Sequence, residues 1–296
     1  MKKHAFLLQV HNNKSQLIKL LDYLDYPDND IYIHIDAKSH ALDGIESYEA
    51  VHSKIYFIPR IRVHWGGYSQ IQVEMALLES ALANGEYVRF HMLSGADMPL
   101  VTEKQLHAFF DMHGTTEFIH FDMIQDEGQI RNRLAQYHLL RDHIDRSQRI
   151  LCGMEKGLLL TQKVLSVDRL RNSDLVLRKG ANWFSITGNC AKYVASKAKW
   201  IEDHFKYTKC CDEVFLQTIV YNSNFRDSLF PKTKNIIYEN MRLTDWKRGN
   251  PYTFHMEDLE MLMSSGYIFA RKFDENVDNI IIESIYRRLM EKGDQL

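Results

Sequence analysis

The stretch Cys210-Cys211-Asp212-Glu213-Val214-Phe215-Leu216-Gln217-Thr218-Ile219-Val220 joins two adjacent carboxylates to an apolar pattern of helical spacing. Phe215, Ile219 and Val220 recur at three to four residues, which predicts a helix over 212–222 with Glu213 off its packed face. A carboxylate placed there can take a proton from an incoming hydroxyl. The same acids also suit a helix start, where exposed N–H groups and the helix dipole favour negative charge, so capping alone accounts for them unless other chemistry stands nearby. Transfer of a group from a nucleotide-activated donor asks for two more things: positive charge for the departing diphosphate and an aromatic platform for a sugar ring. Arg242 and Lys272 are candidates for the first, Trp183 or Trp246 for the second. Tryptophan is a largely buried residue type, so Trp183 fits a core equally well.

The elements that must position these groups alternate in type. Residues 3–10 read as an apolar strand, 15–24 as a helix and 30–35, ending on Asp36, as a second strand, the opening of a right-handed βαβ unit. A short strand follows over 55–58, then a helix from an N-cap at Ser69 to residue 83, and a strand over 87–93 that runs into Ser94-Gly95-Ala96-Asp97-Met98-Pro99. Thr102 and Gln105 resemble a capping box for the next helix, and residues 117–121 continue the sheet. Ligands of open α/β sheets sit beyond the carboxyl ends of the strands, so His11, Asp36 and the 94–97 loop are expected to converge on one crevice. Residues 122–178 are polar and mostly helical, with Arg131, Arg133, Tyr137, His138 and Arg141 close together, a pattern that a solvated face also explains. A Trp-bearing strand is expected over 179–187, helices over 189–204, 257–264 and 276–292, the last for packing, and a strand over 235–238.

At 296 residues and 45% hydrophobic composition the chain can bury a large core, and it contains no repeat or Pro/Gly-rich linker. One domain is expected, with a nucleotide-binding half (1–121), a helical acceptor-side region (122–178) and a catalytic, diphosphate-binding half (179–296). A net charge of −2 argues against a general nucleic-acid or anionic-membrane binder. No apolar run approaches the roughly 18 residues of a membrane span, and the basic N-terminus is followed by too short an apolar run for a signal peptide. The four cysteines show neither CxxC pairs nor a secreted-type framework, so a reduced cytoplasm is expected. No metal is expected either. The strand over 87–93 meets a single acid, Asp97, and the only Asp-x-Asp, Asp28-Asn29-Asp30, lies at the wrong end of its strand and reads as turn chemistry. Basic side chains must then carry the leaving-group charge.

Several further motifs occur in a fixed order: Ile33-His34-Ile35-Asp36-Ala37-Lys38-Ser39, Val63-His64-Trp65-Gly66-Gly67-Tyr68-Ser69, Leu93-Ser94-Gly95-Ala96-Asp97-Met98-Pro99, Ala181-Asn182-Trp183-Phe184, Asp212-Glu213-Val214-Phe215, Asp245-Trp246 with Gly249-Asn250-Pro251-Tyr252, and Phe269-Ala270-Arg271-Lys272-Phe273-Asp274. In this the chain resembles the core-2/I-branching glycosyltransferases (glycosyltransferase family 14), the group of mucin-type β-1,6-N-acetylglucosaminyltransferases and peptide O-xylosyltransferases, in a bacterial form. The resemblance implies an α/β, GT-A-like fold with a Rossmann-like nucleotide-binding half and a mixed central sheet flanked by helices. It implies an inverting, metal-independent, UDP-sugar-dependent enzyme with Glu213 as catalytic base, Asp36 at the uridine and Lys272 at the diphosphate. By the same likeness Trp65 and Ser94 to Asp97 line the donor pocket, while Asn182, Trp183, Asp245 and Trp246 lie toward donor sugar and acceptor, with Arg133 and Tyr137 as acceptor contacts. The animal enzymes carry a second diphosphate-binding arginine after the Pro-Tyr segment, where this chain has Thr253-Phe254-His255-Met256-Glu257, so Arg242, in preference to Arg248, is expected to substitute. Asn182 stands where the xylosyltransferases have an acid. The expected donor is UDP-N-acetylglucosamine, with UDP-xylose or another UDP-hexose next, and the expected acceptor a glycan or lipid-linked saccharide of a surface polysaccharide or glycoconjugate. The enzyme is then placed in the cytoplasm, peripheral to the inner face of the membrane through its acceptor or a partner. The alternatives are a non-catalytic carbohydrate-binding protein on the same fold and a nucleotidyl- or phosphotransferase. The second lacks a GxxxxGK[ST] loop and paired metal-binding acids.

Overall fold

The computed structural model describes residues 2–144, 148–171, 173–232 and 238–293. Its main sheet is built from β1 (His4–Val10), β2 (Asn29–Ile35), β3 (Lys54–Phe57) and β4 (Arg89–Ser94). A short β5 (Met98–Pro99) follows, and β6 (Phe118–Ile119) and β7 (Phe184–Thr187) complete the sheet in the order β3-β2-β1-β4-β7-β6. The first four strands are parallel, β7 runs antiparallel to β4 and β6 antiparallel to β7. This is the mixed central α/β sheet that the resemblance implies. A second sheet pairs β5 with β9 (Phe269–Arg271), and β9 with β8 (Arg242–Thr244).

Alternation along β1 explains the two-sided core. Phe6, Leu8 and Val10 pack to one face, against α1 (Lys14–Leu24), and Ala5 and Leu7 pack to the other, against α2 (Ser69–Asn84). Next come α3 (Glu103–Met112), α4 (Glu127–Leu134) and α5 (Arg149–Val164), then α6 (Gly188–Ser196), α7 (Ala198–Phe205), α8 (Phe215–Tyr221), α9 (Leu259–Met263) and α10 (Asn279–Gly293). The closing helix does pack: Ile281, Ile282, Ile285 and Leu289 are buried on the α1 side of the sheet.

Thr102 and Gln105 form the expected capping box of α3. Ser69 is not an N-cap; it is the first residue of α2, and its hydroxyl accepts from the His64 N–H at 2.9 Å. The single helix expected over 189–204 is broken at Lys197 into α6 and α7. The helix expected over 212–222 begins only at Phe215, which leaves Asp212 and Glu213 in the turn before it. Trp183 sits just outside β7. The strand expected over 235–238 lies mostly outside the described residues.

Candidate active site

Beyond the carboxyl ends of β1, β2 and β4 opens a cleft of about 530 Å³, within the range of small-molecule sites. Its lining brings together His11, Asp36, Trp65, Ser94, Asn182, Trp183 and Lys272 from the predicted set, joined by Lys38, Gln70, Pro251 and Arg271. His11 and Asp36 occupy it because each directly follows its strand. Asp36 donates its N–H to Val10 O at 3.0 Å, and its carboxylate accepts from the N–H of Lys38 at 2.9 Å and of Val63 at 3.4 Å. Burial lowers the His11 pKa, against the pull of Asp36 and with help from Lys272 and Lys38. Beneath this rim the His34 Nε2 accepts from the Ile61 N–H at 2.9 Å, and burial pushes that imidazole down to about 4, so it serves as a neutral acceptor.

The opposite wall is tied to the acidic pair through Gln70. Gly66 adopts φ 72°, a left-handed turn that places its N–H on the Gln70 side-chain oxygen. Gln70 Nε2 in turn donates to Asp212 at 2.9 Å, and Asn182 Nδ2 lies 3.5 Å from the same oxygen. Asp212 is buried, and burial first, then the neighbouring Glu213 charge, raise its pKa to about 7. Glu213 is partly exposed. Its Oε2 accepts from Arg133 Nη1 at 2.8 Å and lies 3.6 Å from Lys179 Nζ, while its backbone carbonyl accepts from the Gly180 N–H at 2.9 Å. A β-carbon at Gly180 would collide with the His120 carbonyl, so this close backbone approach requires glycine. Glu213 is not itself part of the cleft lining; it stands one residue from Asp212, which touches two lining side chains.

At the cationic end the second sheet delivers Arg271 and Lys272. Arg271 Nη1 lies 3.3 Å from Asp97 Oδ1 and 3.3 Å from Ser94 Oγ, and its guanidinium lies 4.5 Å from the centroid of the Trp183 ring. Arg242 is elsewhere. It is 1% exposed, and its guanidinium donates to the carbonyls of Asn240, Met92 and Phe184 and to Ser185 Oγ. It ties β8 to β4 and β7 and cannot reach a ligand in the cleft, which corrects the expectation that it completes a diphosphate clamp. Arg248 is also engaged, by Asp245 at 2.6 Å and Asp258 at 2.7 Å, with Tyr252 beneath it.

Other predicted positions have different surroundings. Asp97 is 1% exposed and does not line the cleft; it accepts from the Ser94 N–H at 2.7 Å and anchors Arg271. Asp245 is likewise absent from the lining and holds the turn after β8 by accepting from the N–H groups of Lys247 and Arg248. Trp246 is more than half exposed and outside the lining, and Tyr137 lies in a separate hollow of about 400 Å³, under the Arg169 guanidinium. Among the residues sequence reasoning missed, Arg271 was the most legible, since it precedes Lys272 in the same motif. Gln70 directly follows the Trp65 motif but carries no charge to single it out. Asp212 was visible as an acid, but its burial was not.

The family model described as Core-2/I-Branching enzyme matches residues 4–262. The chain belongs to this family. Core-2/I-branching enzymes are glycosyltransferases, and the chain is accordingly a glycosyltransferase domain. It is 24% identical to human xylosyltransferase 1 over 298 residues, covering 94% of this chain and 29% of that protein. It is 23% identical to Ciona intestinalis xylosyltransferase over 304 residues, covering 95% and 33%. The chain thus spans about a third of the length of the curated relatives it matches. Among solved structures, mouse xyloside xylosyltransferase 1 in its apo form superposes with a TM-score of 0.38 at 11% identity, covering 91% of this chain and 97% of that one. A UDP complex of Staphylococcus aureus TarS gives 0.29 at 16% identity, covering 46% and 40%. At such scores the superpositions add nothing to the strand order described above for this core-2/I-branching domain.

Proposed function

We propose that this core-2/I-branching domain transfers a sugar, N-acetylglucosamine first among candidates, from a UDP-sugar to a hydroxyl of a glycan acceptor, with inversion and without a metal. The observation that carries the reading is the sharing of one cleft by Asp36, Trp183, Arg271 and Lys272, with the Asp212–Glu213 pair joined to it through Gln70 and Asn182. Asp36 takes the uridine side and Lys272 with Arg271 the diphosphate, as bidentate and point-charge cations suit. Glu213 removes the acceptor proton as the hydroxyl oxygen bonds to the anomeric carbon and the bond to UDP breaks on the opposite face. Two cations gathered at the diphosphate support metal-free departure.

The similarity to xylosyltransferases favours a second donor, UDP-xylose. Calorimetric titration with UDP, UDP-N-acetylglucosamine, UDP-glucose and UDP-xylose in EDTA tests the reading. Binding of UDP in EDTA is the expected result, and the tightest UDP-sugar names the donor. Binding that appears only with Mg²⁺ or Mn²⁺ would overturn metal independence, and no binding of any uridine nucleotide would remove the donor assignment.

A further inference from the structure

The helix α5 presents its apolar side chains outward. Ile150 is 82% exposed, Val164 78%, Leu160 65% and Met154 55%, with Leu158 and Leu165 beside them. At about 100° per residue these six positions fall within an arc of about 160°. The other members of that arc are Gly153, Gly157 and Thr161, so it holds no charge. A β-carbon at Gly153 or Gly157 would meet nothing within 4 Å, which shows how open this face is. Along one edge of the helix run Arg149, Lys156 and Lys163, all exposed and spaced seven residues apart, hence in a single row. The only acid of α5, Glu155, is turned inward, where it lies 3.4 Å from His138 and 3.8 Å from Arg141.

We propose that α5 is a membrane-surface helix that seats the enzyme on an anionic bilayer. An outward apolar arc flanked by a row of cations, on a helix without an exposed acid, is the pattern of helices that lie in the headgroup plane. The match of charge commits the occupant: a neutral protein partner has no use for the cationic row, whereas an anionic leaflet engages both features at once. No helix among the described residues is long and apolar enough to cross a membrane, so the contact is peripheral. The seat is mechanically joined to the cleft. Glu155 holds Arg141, and Arg141 donates to the Trp65 carbonyl at 2.8 Å with its guanidinium 5.5 Å from the Trp65 ring centroid, at the cleft lining. A bilayer under α5 is thereby linked through Arg141 to the Trp65 wall of the cleft. The inference stands apart from the choice of donor.

Flotation of the full chain with vesicles tests it. The chain should float with phosphatidylcholine vesicles containing about one third phosphatidylglycerol, and much less with phosphatidylcholine alone, and high salt should release it. The double substitution Ile150→Glu with Val164→Glu should abolish flotation with the melting temperature unchanged, since both side chains already face solvent. Replacing Lys156 or Lys163 by Gln should lower partitioning about fivefold each. Failure to float with the anionic vesicles, or flotation that survives the double substitution, would overturn the proposal. A dimer in sedimentation velocity that the double substitution dissolves, with no vesicle binding, would overturn it in favour of a second copy as the occupant.

Discussion

Arg133 and Lys179 both address one oxygen of Glu213, Arg133 Nη1 at 2.8 Å and Lys179 Nζ at 3.6 Å. The pair fixes the carboxylate on a turn that Gly180 holds by its backbone. A carboxylate held this way is oriented before an acceptor arrives, and in the proposed role of general base its assistance would contribute about 10²- to 10⁴-fold. Glu213→Gln keeps the shape and most of the hydrogen bonding. Turnover should therefore fall by about that factor while the Kd for the UDP-sugar changes little, as read from initial rates beside calorimetry. Near-normal turnover would remove Glu213 from the base role.

Asp212 gives the site a pH dependence of its own. With its pKa raised to about 7, mainly by burial, the carboxyl keeps its proton below that value and accepts from Gln70 and Asn182 as a full carboxylate above it. If that acceptor orients Gln70 and Asn182 at the cleft, kcat/KM should rise with pH through about 7. Asp212→Asn should lack this limb. A wild-type profile flat across neutral pH would show that Asp212 is only structural.

The two arginines of β8 and β9 should separate cleanly. Lys272→Ala and Arg271→Gln remove cations at the cleft, and loss of one charge-assisted contact to a phosphate weakens binding about 10- to 100-fold. Lys272→Ala should do this with the melting temperature unchanged. Arg242→Met should act in reverse. It strips donors from three buried carbonyls and a hydroxyl, costs on the order of 3 kcal/mol of stability, and leaves UDP affinity close to normal in the folded fraction. Differential scanning calorimetry with UDP titration distinguishes the two cases.

Why was Arg242 misread and Asp36 not? Asp36 follows a strand whose apolar alternation is local and strong, and the rule that ligands sit at carboxyl ends then places it without knowledge of distant residues. The same reasoning located His11 and Ser94. Arg242 opens a three-residue strand whose partner, β9, comes more than twenty residues later. A basic residue in such a segment looks solvent-bound, and only the long-range packing of β4 and β7 beneath it reveals that its guanidinium serves backbone carbonyls. Asp245 and Arg248 have the same cause: their mutual pairing at 2.6 Å is local, yet charge alone in the sequence does not say whether it faces a ligand or a neighbour. The outward apolar face of α5 was hidden for the complementary reason, since helical periodicity identifies a face but not which side the body covers.

Glu103 supplies a test of the fold away from the cleft. It opens α3, is buried, and accepts from Asn29 Nδ2 at 3.1 Å, yet burial pushes its pKa up to about 8. In the unfolded chain a glutamate titrates near ~4.3. Between these values the native state holds a proton that the unfolded state has released, so stability falls as pH rises, by at most about 1.4 kcal/mol per pH unit from this group. The contribution is complete above about 8 and absent below about 4. Glu103→Gln mimics the protonated form. Its melting temperature should match the wild type at pH near ~4 and exceed it progressively toward pH ~8. A variant less stable than the wild type at the upper end would mean that the carboxylate is favoured in the native state and that the Asn29 contact outweighs burial.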